Sequence, residues 1–172
     1  MSDDKRRGAA CHEAGHAVMA LAYGAEVDAV SLTASRWDAG VFVGKTVSPI
    51  HITMLVVAAG VYAEARYRSD FDAAAPGFGM ESQPGSDNGQ LSELALRVSH
   101  GRAKEADEAI MQCTQVAYQN TAQDGYWRAV EGVALALLER ETLTGDEVRQ
   151  IVMAGGGIPK PAVEIRITRS KP

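Results

Sequence analysis

His12-Glu13-Ala14-Gly15-His16 constrains this chain more than any other feature, because its spacing has chemical meaning only on a helix. Residues i and i+4 lie one above the other on a helix face, so both imidazoles can reach one ion. Glu13 falls beside them without being a ligand, placed to take a proton from a water that the ion activates. Zinc suits two histidines and a carboxylate, and an open fourth position keeps such a site catalytic. The ion lowers the pKa of its water from about 15.7 to roughly 7 and polarises a substrate carbonyl. The same pentapeptide also occurs in helices that bind nothing, as two surface histidines with a neighbouring glutamate. Here the flanks Ala10, Cys11, Ala14, Gly15, Ala17 and Val18 are small or apolar, so the helix is expected to be mostly buried. Two histidines and a glutamate buried without a partner would be costly, which favours the metal.

Around this motif the pattern is mainly helical. Asp3 or Asp4 is expected to cap the first helix, whose apolar positions run from Ala10 to Ala22, and Gly24 to stop it. Val27 to Thr33 and Val41 to Val47 are rich in β-branched residues and flank a turn-like Ser35 to Gly40, which predicts a β-hairpin. Pro49 stands where a second helix begins, and Met54, Val57, Ala58, Val61 and Ala65 carry it to about Arg68. Ser69 to Gly89 has little periodicity and is expected to be a long loop, of the kind that is usually functional. Helices follow around Leu91–Val98, Ala106–Ala117 and Val130–Leu138. Thr144 and Glu147 have capping-box spacing and open a short last helix ending at Gly155. The tail from Pro159 to Pro172 looks extended.

The 172 residues suit one domain, at about 150 residues per domain. With 46% hydrophobic and 23% charged residues the chain is not of a disordered class. A net charge of −5 speaks against an electrostatic grip on nucleic acid or anionic lipid. Cys11 and Cys113 make no disulfide framework and read as reduced thiols of a cytoplasmic protein. The longest mainly apolar run, Ile52 to Ala63, is too short to span a bilayer, and no signal peptide precedes the His-Glu pair, so a soluble protein is expected.

Four blocks then carry a resemblance. Cys11-His-Glu-Ala-Gly-His-Ala-Val-Met-Ala is close to an H-E-A-G-H-A-V signature, and Ala58-Ala-Gly-Val-Tyr-Ala-Glu-Ala to an A-G-x-x-A-E helix. Gly85-Ser-Asp-Asn, followed by apolar residues at helical spacing, is similar to a G-x-S-N-D helix start. The stretch from Ala134 to Val148 follows the pattern A-x-x-L-L-E-x-E-x-L-x-G-x-E-V. In this order they resemble the peptidase domain of the FtsH-type zinc metalloproteases, the M41 peptidase family, over most of residues 8 to 150.

The resemblance implies a mainly α, zincin-like domain with a small β-hairpin or sheet beside the motif helix. It implies one zinc per chain, held by His12, His16 and Asp87, with Glu13 as general base. At Asp87 the chain departs from the family: Ser86 precedes it in place of Asn, and Asn88 and Gly89 follow in place of a Leu and a charged residue. Read by itself, Asp87 is equally a helix N-cap. Glu64 is the rival ligand, since a glutamate from a second helix completes many such sites; the resemblance instead makes it a partner orienting a ligand histidine. The family's known members carry membrane helices and an AAA ATPase module before the peptidase, and this sequence shows neither. Gly40-Val-Phe-Val-Gly-Lys-Thr46 has three residues between its glycines where a phosphate loop needs four, and reads as a strand that can pair with an extended peptide. His51 and His100 fall outside any ligand spacing and are expected in surface or capping roles, and Cys11 as a small buried residue.

Residues 1–157 are thus expected to form the peptidase domain and 158–172 an extended tail. The expected activity is zinc-dependent hydrolysis of peptide bonds in peptides or unfolded proteins, as an endopeptidase without intrinsic ATPase. Alternatives are a non-catalytic or regulatory zinc-binding module, against which an intact Glu13 argues, and a peptidase subunit serving a separate AAA ATPase. A homo-oligomer is a further expected partner; nucleic acid and membrane insertion are not.

Overall fold

A computed structural model describes residues 2–32, 40–43, 49–71, 74 and 86–161, with only the backbone given for 40–43. Most of the expected turn from Ser35 to Gly40, the stretch from Gly44 to Val47, most of the long loop and the tail beyond Pro161 lie outside these residues.

The motif helix, α1, spans Asp3–Ala22. Its cap is Ser2, whose side chain accepts from the Lys5 backbone amide, and not Asp3 or Asp4. Those two aspartates occupy the first turn instead, where negative charge favours the positive end of the helix dipole. From Ala10 to Ala20 nearly every residue of α1 is buried, as its small side chains led one to expect. α2, Ile50–Tyr67, begins directly after Pro49 and is the most apolar of the described helices. It packs along α1, which also packs against α5 (Asp124–Arg140). α3 (Asp87–Val98) and α4 (Ala103–Ala122) both lie against α2. The core thus surrounds the α1–α2 pair.

Val27–Ser31 (β1), Gly40–Val43 (β2) and Thr142–Thr144 (β3) form a small antiparallel sheet in the order β2-β1-β3. The hairpin of β1 and β2 was legible, with a register shift between Val27 and Ala29. β3 was not: three residues are too few to show a period-two pattern. It forms because Glu141 reverses the chain at φ 62°, which sets Leu143 fully buried opposite Val30. Thr144 then caps α6, Gly145–Ala154, in the expected capping box: its Oγ1 accepts from the Glu147 amide at 3.3 Å, and its own amide donates to Glu147 at 2.7 Å. The protein is mainly helical, with six helices among the described residues. No described helix is long and apolar enough to cross a membrane.

Candidate metal centre

His12 and His16 stand one turn apart on α1, with ring centroids 4.7 Å apart and planes near perpendicular. Asp87 opens α3, one residue after the N-cap Ser86, whose side chain accepts from the Gly89 amide. The cap and the candidate ligand are therefore neighbours rather than the same residue. Because α3 packs on α2, the Asp87 carboxylate comes to lie over both rings: Oδ2 is 2.7 Å from His12 Nε2 and 3.2 Å from His16 Nε2. Donor atoms of these three residues all fall within 4.8 Å of one another. Two ligands bound tetrahedrally to zinc at about 2.0–2.1 Å are roughly 3.3 Å apart, so this set needs only small adjustments to accept the ion. His16 is buried while His12 and Asp87 are half-buried, which leaves one side of the cluster accessible.

The second nitrogen of each ring is spoken for. His16 Nδ1–H donates to the Val56 carbonyl at 2.6 Å, and His12 Nδ1–H to Glu64 Oε2 at 3.2 Å. Neither a carbonyl nor a carboxylate can donate, so each Nδ1 carries a proton, which leaves Nε2 as the nitrogen of each ring that a metal could take. Glu64 sits on the opposite edge of His12 from Asp87, behind the ring rather than beside the cluster. Of the two carboxylates left open by the sequence, Asp87 joins the group of donors and Glu64 does not.

This arrangement depends on how closely α1 and α2 approach. A Cβ on Gly60 would lie 2.5 Å from His16 Nε2 and 2.8 Å from His12 Cδ2, so the two imidazoles rest directly on the α2 backbone. A Cβ on Gly15 would lie 2.6 Å from that of Ala63 and 2.9 Å from the Ala59 carbonyl oxygen. The sequence reading gave neither glycine a role, although glycine inside a helix costs about 1 kcal/mol against alanine and so calls for a reason. It also missed Tyr126, fully buried on α5, whose hydroxyl donates to the Gly15 carbonyl at 3.0 Å between the two histidines. An aromatic residue at core spacing gives no hint of such a bond.

Charge is arranged to match. Burial by itself lowers the His12 imidazolium pKa, but hydrogen bonds to Asp87 and Glu64 outweigh it and push the value up to about 10. A proton is then shared between His12 Nε2 and Asp87, at the position a divalent ion would have to take from it. Burial also works to raise the Asp87 carboxyl, yet the two imidazoles hold it well below the usual carboxylate range. The hydrogen bond from His12, aided by Arg68, brings Glu64 down to about 2 against the opposing effect of burial. Glu13 moves the other way: it is buried on α1, and desolvation raises its carboxyl pKa although both imidazoles oppose the rise. A less acidic carboxylate beside the site is what a general base requires.

The remaining candidates stay apart from this group. Cys11 is buried and its thiol is pushed up to about 12, chiefly by burial, so it offers no thiolate at neutral pH. His51 lies in the first turn of α2, and His100 is exposed in the left-handed turn after α3. No protein-family profile matches this chain, and a search of the curated proteins returns no match either.

Proposed function

We propose that the chain is a zinc-dependent peptidase in which His12, His16 and Asp87 hold one ion and Glu13 moves the proton. The observation that carries this reading is the meeting of the three donors from α1 and α3, with both Nδ1 atoms already engaged and a buried glutamate next to a ligand. Zinc bound there supplies a Lewis acid for the scissile carbonyl and a water acidified to roughly pKa 7. Glu13 accepts the proton of the attacking water and then hands it to the leaving amine. Asp87 contributes one negative charge alongside two neutral imidazoles, and the Val56 carbonyl and Glu64 fix the planes of those rings.

Peptide bonds are chosen as substrate because the four sequence blocks resemble the FtsH-type peptidases in order. A buried Glu13 beside the ligands favours turnover over a purely regulatory metal site, which has no use for a base. We read the substrate as an extended peptide or unfolded protein in the cytoplasm, with a homo-oligomer or a separate AAA ATPase as the expected partner. No phosphate-loop sequence accompanies the site. Hydrolysis of casein or a short fluorogenic peptide is therefore expected to stop with a zinc chelator, return with added zinc and ignore ATP. Stably folded proteins should resist, because opening a domain costs about 5–15 kcal/mol. Cleavage that survives chelation would overturn the metal mechanism, and stimulation by ATP would reveal a nucleotide site in this chain.

A further inference from the structure

The geometry points to Arg68 as a positioning residue of the metal centre, acting on His12 through Glu64; this rests on the metal reading above. The two oxygens of the Glu64 carboxylate are divided between two partners. Oε2 faces His12 Nδ1, while Oε1 accepts from Arg68 Nε at 2.9 Å and lies 2.8 Å from Nη2. A carboxylate held by one oxygen can turn about its last torsion, whereas one held by both cannot, so the guanidinium fixes the acceptor that fixes the imidazole plane. Arg68 follows the last residue of α2, one helical turn beyond Glu64. Its third nitrogen, Nη1, reaches Asp4 Oδ2 at 3.3 Å in the first turn of α1.

The opposing helix makes room for this arrangement. A Cβ on Gly8 would stand 2.7 Å from Arg68 Nη2 and 3.3 Å from Glu64 Oε1, so the guanidinium passes over α1 where α1 has no side chain. Both Arg68 and Glu64 are about one-third exposed, and an ion pair so placed adds little to stability by charge alone. Its effect lies in orientation. Arg68 lies between the blocks that resemble the peptidase family, three residues past Ala65 and well before Gly85, so no motif marks it.

Metal binding separates this role from a plain tie between helix ends. Zinc and cobalt(II) affinities are measured by competition with a chromophoric chelator, together with the visible spectrum of the cobalt protein. Arg68→Met should weaken binding by about tenfold, the low end of what a partner behind a ligand histidine contributes, and shift the cobalt bands. Arg68→Lys, which keeps a cationic donor within reach of Oε1, should recover binding to within about threefold of native. In a Glu64→Ala background Arg68→Met should add less than about twofold, because the path to His12 is already cut. Asp4→Ala, which removes the acceptor that α1 offers to Arg68 Nη1 and to the Tyr67 hydroxyl, should leave affinity within about twofold. Circular dichroism of the metal-free proteins monitors folding, and Arg68→Leu replaces Arg68→Met in the same comparison if the latter does not fold. Native affinity and spectrum in the Arg68 variant, or a full additive loss on top of Glu64→Ala, overturns the inference. His16→Ala is the control: if it still binds metal fully, the metal centre itself falls, and the role of Arg68 with it.

Discussion

Alanine at His12, His16 or Asp87 is expected to strip zinc from the protein, whereas alanine at Glu64 should weaken binding only about 10–100-fold. Each of the first three supplies a donor atom to one compact group, and removing any one leaves two. Two protein ligands hold zinc poorly, because an ion in such a site needs at least three. Glu64 differs by position: it bonds Nδ1 of His12 on the ring edge facing away from Asp87. Its loss frees the ring to turn but leaves every donor in place. Zinc content after dialysis against a chelator of fixed strength gives the ranking directly. A Glu64→Ala protein that loses zinc while Asp87→Ala keeps it would exchange the roles of the two carboxylates.

The contrast between those carboxylates shows what could be read from the sequence alone. Spacing along one helix put His12, Glu13 and His16 on a common face, since four residues make about one turn. The capping box of α6 was legible for the same local reason. Which distant carboxylate meets which ring nitrogen is decided by packing of α1, α2 and α3, and Glu64 and Asp87 lie 52 and 75 residues from His12. No local pattern reports that. Gly60 and Gly15 show the same limit. Each matches a motif position, yet its purpose is the close approach of another helix and of the imidazoles. β3 was lost between two strong helices, because its pairing with β1 joins residues more than a hundred positions apart.

Replacing Glu13 by glutamine is expected to leave zinc bound and to lower peptidase activity by about two to four orders of magnitude, the usual worth of a positioned base. Glutamine keeps the volume and the polar atoms of the side chain but cannot take a proton. The burial that raises the Glu13 carboxyl pKa disfavours its charged form, so the neutral amide is well tolerated in the fold. The melting temperature of the metal-free variant should accordingly equal or exceed that of the native protein. Retained zinc distinguishes this variant from the ligand variants, in which activity falls because the ion is gone. A fully active Glu13→Gln protein would remove Glu13 from the chemistry.

The proposed chemistry requires an ion on His12, His16 and Asp87, and elemental analysis of the purified chain tests that most directly. After equilibration with zinc and removal of the excess, about one zinc per chain is the expected result for a site with three protein ligands and an open position. A folded chain that emerges metal-free from the same treatment would contradict the centre, and with it the proposed peptidase.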